Sequence, residues 1–309
     1  MSVRKHDEIV HAGRMINCRT GAMYPNIAIN LDVLGPATGK YQDLLTERTK
    51  VKHKDKARSD ALKLILNSVY GNLGNQYSTL HNPKAQVGVC VYGQISLYEL
   101  GKRLSQYAEI VQMNTDGVAF VPHDAHYKGV QKQWEEDFGL RLEEDRFDRW
   151  IQKDVNNYIA VTEDGDIYTK GGEVGRYNRP FYFRNNSTRI VDICIVDYLL
   201  YGKDVVTSLM EHVDKPELYQ HILQAGRTFK GTFDQDGNQY NNVNRVFAVK
   251  RDGVLLQKKR QDDGLVRFAD APTQMLVWND DVDKLENFEE IVDLNFYYQM
   301  IKRKLEGWR

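Results

Sequence analysis

The chain predicts an α+β fold in which antiparallel strands alternate with helical segments. Three observations carry this. Ala108 to Val121, A-E-I-V-Q-M-N-T-D-G-V-A-F-V, sets two β-rich runs around T-D-G, the pattern of a tight hairpin with an acid at its tip. Lys63 to Gly71, K-L-I-L-N-S-V-Y-G, reads as helix: Lys63, Asn67 and Tyr70 fall at i, i+4 and i+7 on one face, and Leu62, Leu66 and Val69 line another. Strand-like runs over 140–173 and 243–279 are separated by helical patterns over 188–227, and a helical pattern closes the chain.

Composition bounds the answer. A chain of 309 residues has room for two or three subdomains, and 41% hydrophobic with 28% charged residues is the balance of a soluble globular protein. No apolar run approaches the roughly 18 residues a membrane helix needs, so no membrane partner is expected. The opening M-S-V-R-K-H-D is followed by no apolar segment, which argues against a secretory signal. Cys18, Cys90 and Cys194 are too widely spaced for a metal or redox motif, and a reducing cytoplasm is the expected compartment. The net charge of −1 is not the footprint of a generic nucleic-acid binder. Local charge is different: Arg48, Lys50, Lys52, Lys54, Lys56, Arg58 and Lys63 face only Asp55 and Asp60. Such a run is usually a solvated helix face, but here it borders K-L-I-L-N-S-V-Y-G. No Walker pattern and no G-x-G-x-x-G occurs, which excludes the common phosphate-loop enzymes.

In chain order, residues 1–13 read as polar and irregular. Residues 14–30 read as a strand, a turn and a short helix, with Pro25 in the first helical turn and Asn26 bonding the turned backbone. Residues 31–40 read as a loop. A helix runs from Tyr41 to about Lys52, with Arg48 and Lys52 four apart on one face. The second helix carries Lys63 and Asn67 and ends at Gly71 and Gly74, where glycine lets the backbone approach a ligand. An ammonium, an amide and an aromatic ring on one helix suit a triphosphate, a base edge and a sugar; the bland alternative is an amphipathic helix with a glycine cap.

His81 to Lys84 is a turn, and Gln86 to about Leu104 is a long helix, with apolar residues at 87, 91, 95, 97, 100 and 104. The T-D-G hairpin follows. Residues 128–138 form an amphipathic helix through Val130, Trp134 and Phe138. Residues 140–173 hold four short strands, and Asn178 and Arg179 precede Pro180 in a loop. Helices cover Thr188 to Arg227, capped at Gly202 and Gly226, before strands over 243–279 and a terminal helix over 287–305.

Three of these segments, in this order, resemble motifs A, B and C of the family B DNA polymerases, and the overall look is most similar to phage members. K-L-I-L-N-S-V-Y-G resembles motif B, K-x-x-x-N-S-x-Y-G. M-Y-P-N-I-A-I resembles the end of motif A, D-x-x-S-L/M-Y-P-x-I. Asn114-Thr115-Asp116-Gly117 resembles motif C, usually D-T-D-S, in a form used by phage relatives. Tyr158 and Lys170-Gly171-Gly172-Glu173 resemble the elements that track the primer strand, although Asn156 stands where K-x-Y has its lysine. Asp293 and Tyr297 resemble a terminal D-x-x-x-Y. The resemblance implies a right-hand architecture: an antiparallel-sheet palm over 1–40 and 75–187, short helical-hairpin fingers over 41–74, and a mixed, mostly helical thumb over 188–309, without the exonuclease domain. It implies that Arg48, Lys52, Lys63, Asn67, Tyr24 and Tyr70 bind the dNTP, that Asp116 is the catalytic metal ligand for Mg²⁺ or Mn²⁺, and that Tyr158 and Lys170 contact primer–template DNA. It implies template-directed DNA synthesis, in the host cytoplasm if the gene is a phage's. No exonuclease activity is expected, because no suitable D-x-E precedes motif A.

One departure sets the question. The motif A Asp lies five places before Tyr24, where this chain has Arg19, and the motif's Ser is Ala22. Two-metal nucleotidyl transfer needs carboxylates from two strand tips, since magnesium takes hard oxygen ligands. Arg19 brings a permanent positive charge and is expected to pair with Asp116. Three readings stay open: a polymerase of low activity or one completed by another carboxylate such as Asp32, a subunit of a split polymerase whose partner carries the missing carboxylate or the exonuclease domain, and a polymerase-derived nucleotide- and nucleic-acid-binding protein that no longer turns over.

Overall fold

A computed structural model describes residues 3–4, 10–179 and 187–308. Parts of the expected irregular start (residues 1–2 and 5–9) and Pro180 of the expected loop lie outside these residues. The chain divides into two compact units between Trp150 and Ile151.

The first unit contains β1 (Val3–Arg4), β2 (Val10–Thr20), α1 (Met23–Asn30), α2 (Thr38–Val51), α3 (Lys56–Leu73), α4 (Pro83–Leu104), β3 (Ala108–Met113), β4 (Gly117–Pro122), α5 (Tyr127–Phe138) and most of β5 (Leu142–Asp154). Its strands lie in the order β1-β3-β4-β2-β5. Residues 10–13 are therefore the start of an eleven-residue strand, not an irregular stretch. That strand is central: Met15, Ile16, Asn17 and Cys18 are all buried, so both faces are covered. Cys18 pairs with Val118, and Arg19 with Gly117, which sets the end of β2 beside the hairpin tip. Ile16, Cys18, Val118 and Phe120 present one face to α1, α4 and α5, where Met23, Ile27, Leu97, Leu100 and Trp134 complete the core. The Trp134 indole donates to the Ser96 carbonyl (2.6 Å), so its one polar atom is satisfied inside that core.

Helix boundaries follow their caps. Asp55 accepts from the Arg58 amide at the start of α3, and Asn82 from the Ala85 amide at the start of α4, with Pro83 in the first turn. Tyr41 ties α2 to α3 by donating to the Leu66 carbonyl (2.7 Å). Two expectations need correction. The second helix does not end at Gly71; it runs to Leu73 and is capped at Gly74. The apolar stripe of α4 turns inward only in its second half: Val87, Val91 and Ile95 are exposed, while Leu97, Leu100 and Leu104 are buried together with Val89, Gly93, Ser96 and Gly101. Glycine decides this. A Cβ at Gly93 would stand 2.7 Å from the Met23 methyl, and one at Gly101 2.6 Å from the Met113 sulfur, so the helix packs closest along its small residues.

The second unit contains the hairpin β6 (Asn157–Thr162) and β7 (Ile167–Lys170), then α6 (Arg189–Tyr201), α7 (Val205–Met210), α8 (Pro216–Tyr219), β8 (His221–Gln224), β9 (Gly231–Phe233), β10 (Gln239–Tyr240), β11 (Val243–Ala248), β12 (Gln257–Lys259), β13 (Leu265–Arg267), β14 (Met275–Val277), α9 (Phe288–Ile291) and α10 (Leu294–Glu306). Two small antiparallel sheets, β10-β9-β12-β13 and β14-β11-β8, accompany these helices. The segment 188–309 is therefore not mostly helical. The expected helix through 216–226 stops after four residues, because Gln220 turns extended and His221–Gln224 pairs with β11. The closing helix is broken: Val292 is extended, and Asp293 caps α10 by accepting from the Phe296 amide (3.2 Å). Tyr297 is fully buried and donates to the Tyr219 carbonyl (2.7 Å). Conversely, the separate strands expected over 141–153 are one continuous β5. Among the described residues no helix is long and apolar enough to cross a membrane.

Candidate functional site

The hairpin tip is built by its own sequence. The Asn114 side-chain oxygen accepts from the Asp116 amide (3.1 Å), and the Asn114 amide donates to the Gly117 carbonyl (3.0 Å), closing the turn. Thr20, the last residue of β2, donates both its amide (2.8 Å) and its hydroxyl (2.9 Å) to the Asp116 carbonyl. Gly117 is required by close approach: a Cβ there would lie 2.4 Å from the Cys18 carbonyl oxygen. The exposed Asp116 carboxylate makes no ion pair among the described residues. Thr115 is likewise exposed at the tip.

Beyond Thr20 the chain turns sharply through Gly21 and Ala22, the latter at φ 48°. The Asn26 amide holds this turn by donating to the Gly21 (2.9 Å) and Ala22 (3.2 Å) carbonyls. That sends α1 off with Tyr24 facing the hairpin. Tyr70 of α3 stacks on Tyr24, ring centroids 4.5 Å apart at 18°. Burial, then the Cys90 thiol against its hydroxyl, raises the Tyr70 phenol above its ordinary range.

These elements enclose a cleft of about 690 Å³. Arg48 from α2, Lys52 just past its end, Lys63 and Asn67 from α3, Tyr24 from α1, and Thr115 and Asp116 from the hairpin all line it. Tyr70 does not; it backs Tyr24. Asn114 and Gly117 shape the turn behind the lining. Five cationic side chains (Arg19, Arg48, Lys52, Lys63 and Arg141) face the carboxylates of Asp116 and Glu143 there, so the cleft favours an anionic ligand. The Arg48 Nε is buried without a hydrogen-bond partner. Tyr158 and Lys170 are cross-strand partners in the β6–β7 hairpin, with the ammonium 5.7 Å from the ring centroid. Glu173 of K-G-G-E accepts from Lys153 (2.6 Å) and Trp308 (2.9 Å), tying its own unit together.

Arg19 does not pair with Asp116. Its guanidinium lies 2.5 Å from Asp145 on β5, the neighbouring strand. The reason is local: L-E-E-D on β5 brings carboxylates alongside the end of β2, whereas the Asp116 backbone is fixed by Thr20 at the tip. Glu143 and Asp145 are thus site residues that the sequence pattern left hidden in a strand. Asp32, the carboxylate offered as a replacement, accepts from the Thr38 hydroxyl (2.6 Å) beyond α1 and is absent from the cleft lining. Behind the hairpin, burial and then the Glu144 charge push the Cys18 thiol up to about 12, and the thiol accepts from Gln131 (2.6 Å). Among the described residues no group of three or more His, Cys, Asp or Glu side chains is arranged to hold a metal ion. With Arg19 opposite the Asp116 hairpin, the residues present do not fit the two-metal clamp that polymerase chemistry uses.

The chain is 24% identical to DNA polymerase 1 of Aeropyrum pernix over 272 residues, covering 80% of this chain and 26% of that protein. Its fold matches the family B DNA polymerase of the hyperthermophilic archaeon Pyrobaculum calidifontis with a TM-score of 0.54 and 15% identity, covering 96% of this chain and 44% of that one. No protein-family model matches. The resemblance to family B DNA polymerases therefore holds in sequence and in fold, and the chain spans less than half the length of either relative.

Proposed function

We propose that this polymerase-derived chain binds a deoxynucleoside triphosphate and primer–template DNA, and that by itself it performs nucleotidyl transfer very slowly or not at all. One observation supports the reading: Arg48, Lys52, Lys63 and Asn67 line the same cleft as Asp116, while the strand end beside that hairpin presents Arg19. The triphosphate lies along the four α2–α3 side chains, with its sugar against Tyr24, which Tyr70 holds flat. Residues 41–74 act as fingers, 1–40 and 75–187 as palm, and 188–309 as thumb; Tyr158 and Lys170 follow the primer backbone. Mg²⁺ or Mn²⁺ is the ion such chemistry uses, and this chain's side chains do not supply its second anchoring carboxylate. The test is to measure dNTP binding, DNA binding and primer extension on one preparation. The reading requires the first two without the third. Absence of dNTP binding, or robust extension, defeats it.

A second reading is favoured by the end of β2, where Arg19 rather than a carboxylate stands beside the Asp116 hairpin. In it the chain is one subunit of a split, phage-type polymerase acting in the cytoplasm, and a partner supplies the carboxylate or an exonuclease domain. Extension that appears only when a partner chain is added supports that version.

A further inference from the structure

Lys52 of the cleft is already engaged. Its Nζ lies 2.6 Å from Glu143 Oε1 on β5. The Glu143 carboxyl is held below the usual carboxylate range, first by that hydrogen bond and then by the charges of Lys52, Arg19 and Arg48. Lys63, by contrast, makes no ion pair among the described residues, and the Arg48 Nε has no partner. Both members of the Lys52–Glu143 pair are part exposed, at 38% and 48%, so the carboxylate can swing into water at small cost.

The geometry points to Glu143 as an internal anion of the cleft: it occupies Lys52 in place of a phosphate, and a polyphosphate ligand must displace it. This rests on the nucleotide reading above and adds a specificity device to it. A ligand with one phosphate exchanges one anion for another at Lys52 and gains little. A triphosphate also reaches Arg48 and Lys63, and its gain exceeds the loss of the carboxylate contact. Glu143 thus sets the charge a ligand must bring before it is held.

The test is equilibrium titration of the full chain with dTTP in the presence of EDTA, so that no metal complicates the charge. Five proteins are compared: unmodified, Glu143→Gln, Lys52→Ala, the double variant and a control, Glu47→Gln. Glu143→Gln is isosteric, and should tighten dTTP by about two- to fivefold, the release of a part-exposed ion pair. In the Lys52→Ala background the gain should shrink below about 1.5-fold, since the effect acts through that ammonium. Glu47→Gln, which removes the surface pair with Arg58, should leave dTTP affinity unchanged. Unchanged or weaker binding by Glu143→Gln, with Lys52→Ala still weakening dTTP, overturns the inference and leaves the nucleotide reading standing. No dTTP binding by any of the five overturns both.

Discussion

Lys63 shows how a single residue can be read before its surroundings are known. Its place on the face shared with Asn67 follows from helical period alone, and the structure sets both in the cleft. Replacing it should leave the fold intact, because the side chain is exposed and unpaired among the described residues. Lys63→Ala should weaken dNTP binding by about 1.5–3 kcal/mol, the worth of a charged hydrogen bond, read as a shift in Kd by titration. Glu143 and Asp145 were not legible in that way. Their partners, Lys52 and Arg19, are 91 and 126 positions away in the chain, and a strand pattern carries no information about which neighbour it meets. His221 makes a second residue-level prediction. Burial first, then the Arg176 charge, depresses its imidazole from 6.5 to about 3, and its Nε2 has no partner. Between pH 6.5 and 3 the unfolded chain binds a proton there that the folded chain refuses, so this group removes stability as pH falls. The slope is at most about 1.4 kcal/mol per pH unit. Thermal unfolding across that window should show a shallower acid limb for His221→Leu than for the unmodified chain; identical limbs would mean that the imidazole is protonated in the folded state.

At the scale of elements, local chemistry was legible wherever a cap or a turn announced itself. The T-D-G hairpin and the Asn26 turn before α1 are both present as their residues suggest. What apolar spacing does not show is the inward face of the first half of α4, where Val87, Val91 and Ile95 are exposed while Val89 and Gly93 pack inward. Close packing there is bought with missing side chains, a term that hydrophobic periodicity does not contain. The broken terminal helix failed for a related reason: Asp293 competes for the backbone as a cap inside an apolar pattern. Gly117 is the sharpest probe of the hairpin. Gly117→Ala must push β4 away from the Cys18 carbonyl, at an overpacking cost of about 1–3 kcal/mol. Urea unfolding should record that loss, and the displaced Asp116 tip should carry Thr20 with it.

For the molecule as a whole, the α+β class and the three motifs in order were legible, and similarity to family B polymerases in sequence and fold agrees with them. The balance of strand and helix over 188–309 was not, because β9, β10, β12, β13 and β14 are two or three residues long and leave no readable period. Binding of primer–template DNA through phosphates should fall steeply with salt, and Lys170→Ala should lower the slope of log K against log salt by about one. A flat salt profile would contradict that mode of binding. In the proposed reading the nucleotide cleft is kept while the clamp around Asp116 is incomplete at Arg19. Single-turnover primer extension with saturating dNTP and Mg²⁺ tests it most directly, comparing the unmodified chain with Arg19→Asp and Arg19→Ala. Negligible extension by the unmodified chain and a gain of orders of magnitude for Arg19→Asp are expected, each ~1.4 kcal/mol of barrier being tenfold in rate. Robust extension by the unmodified chain, abolished by Asp116→Ala and indifferent to Arg19→Ala, would contradict it.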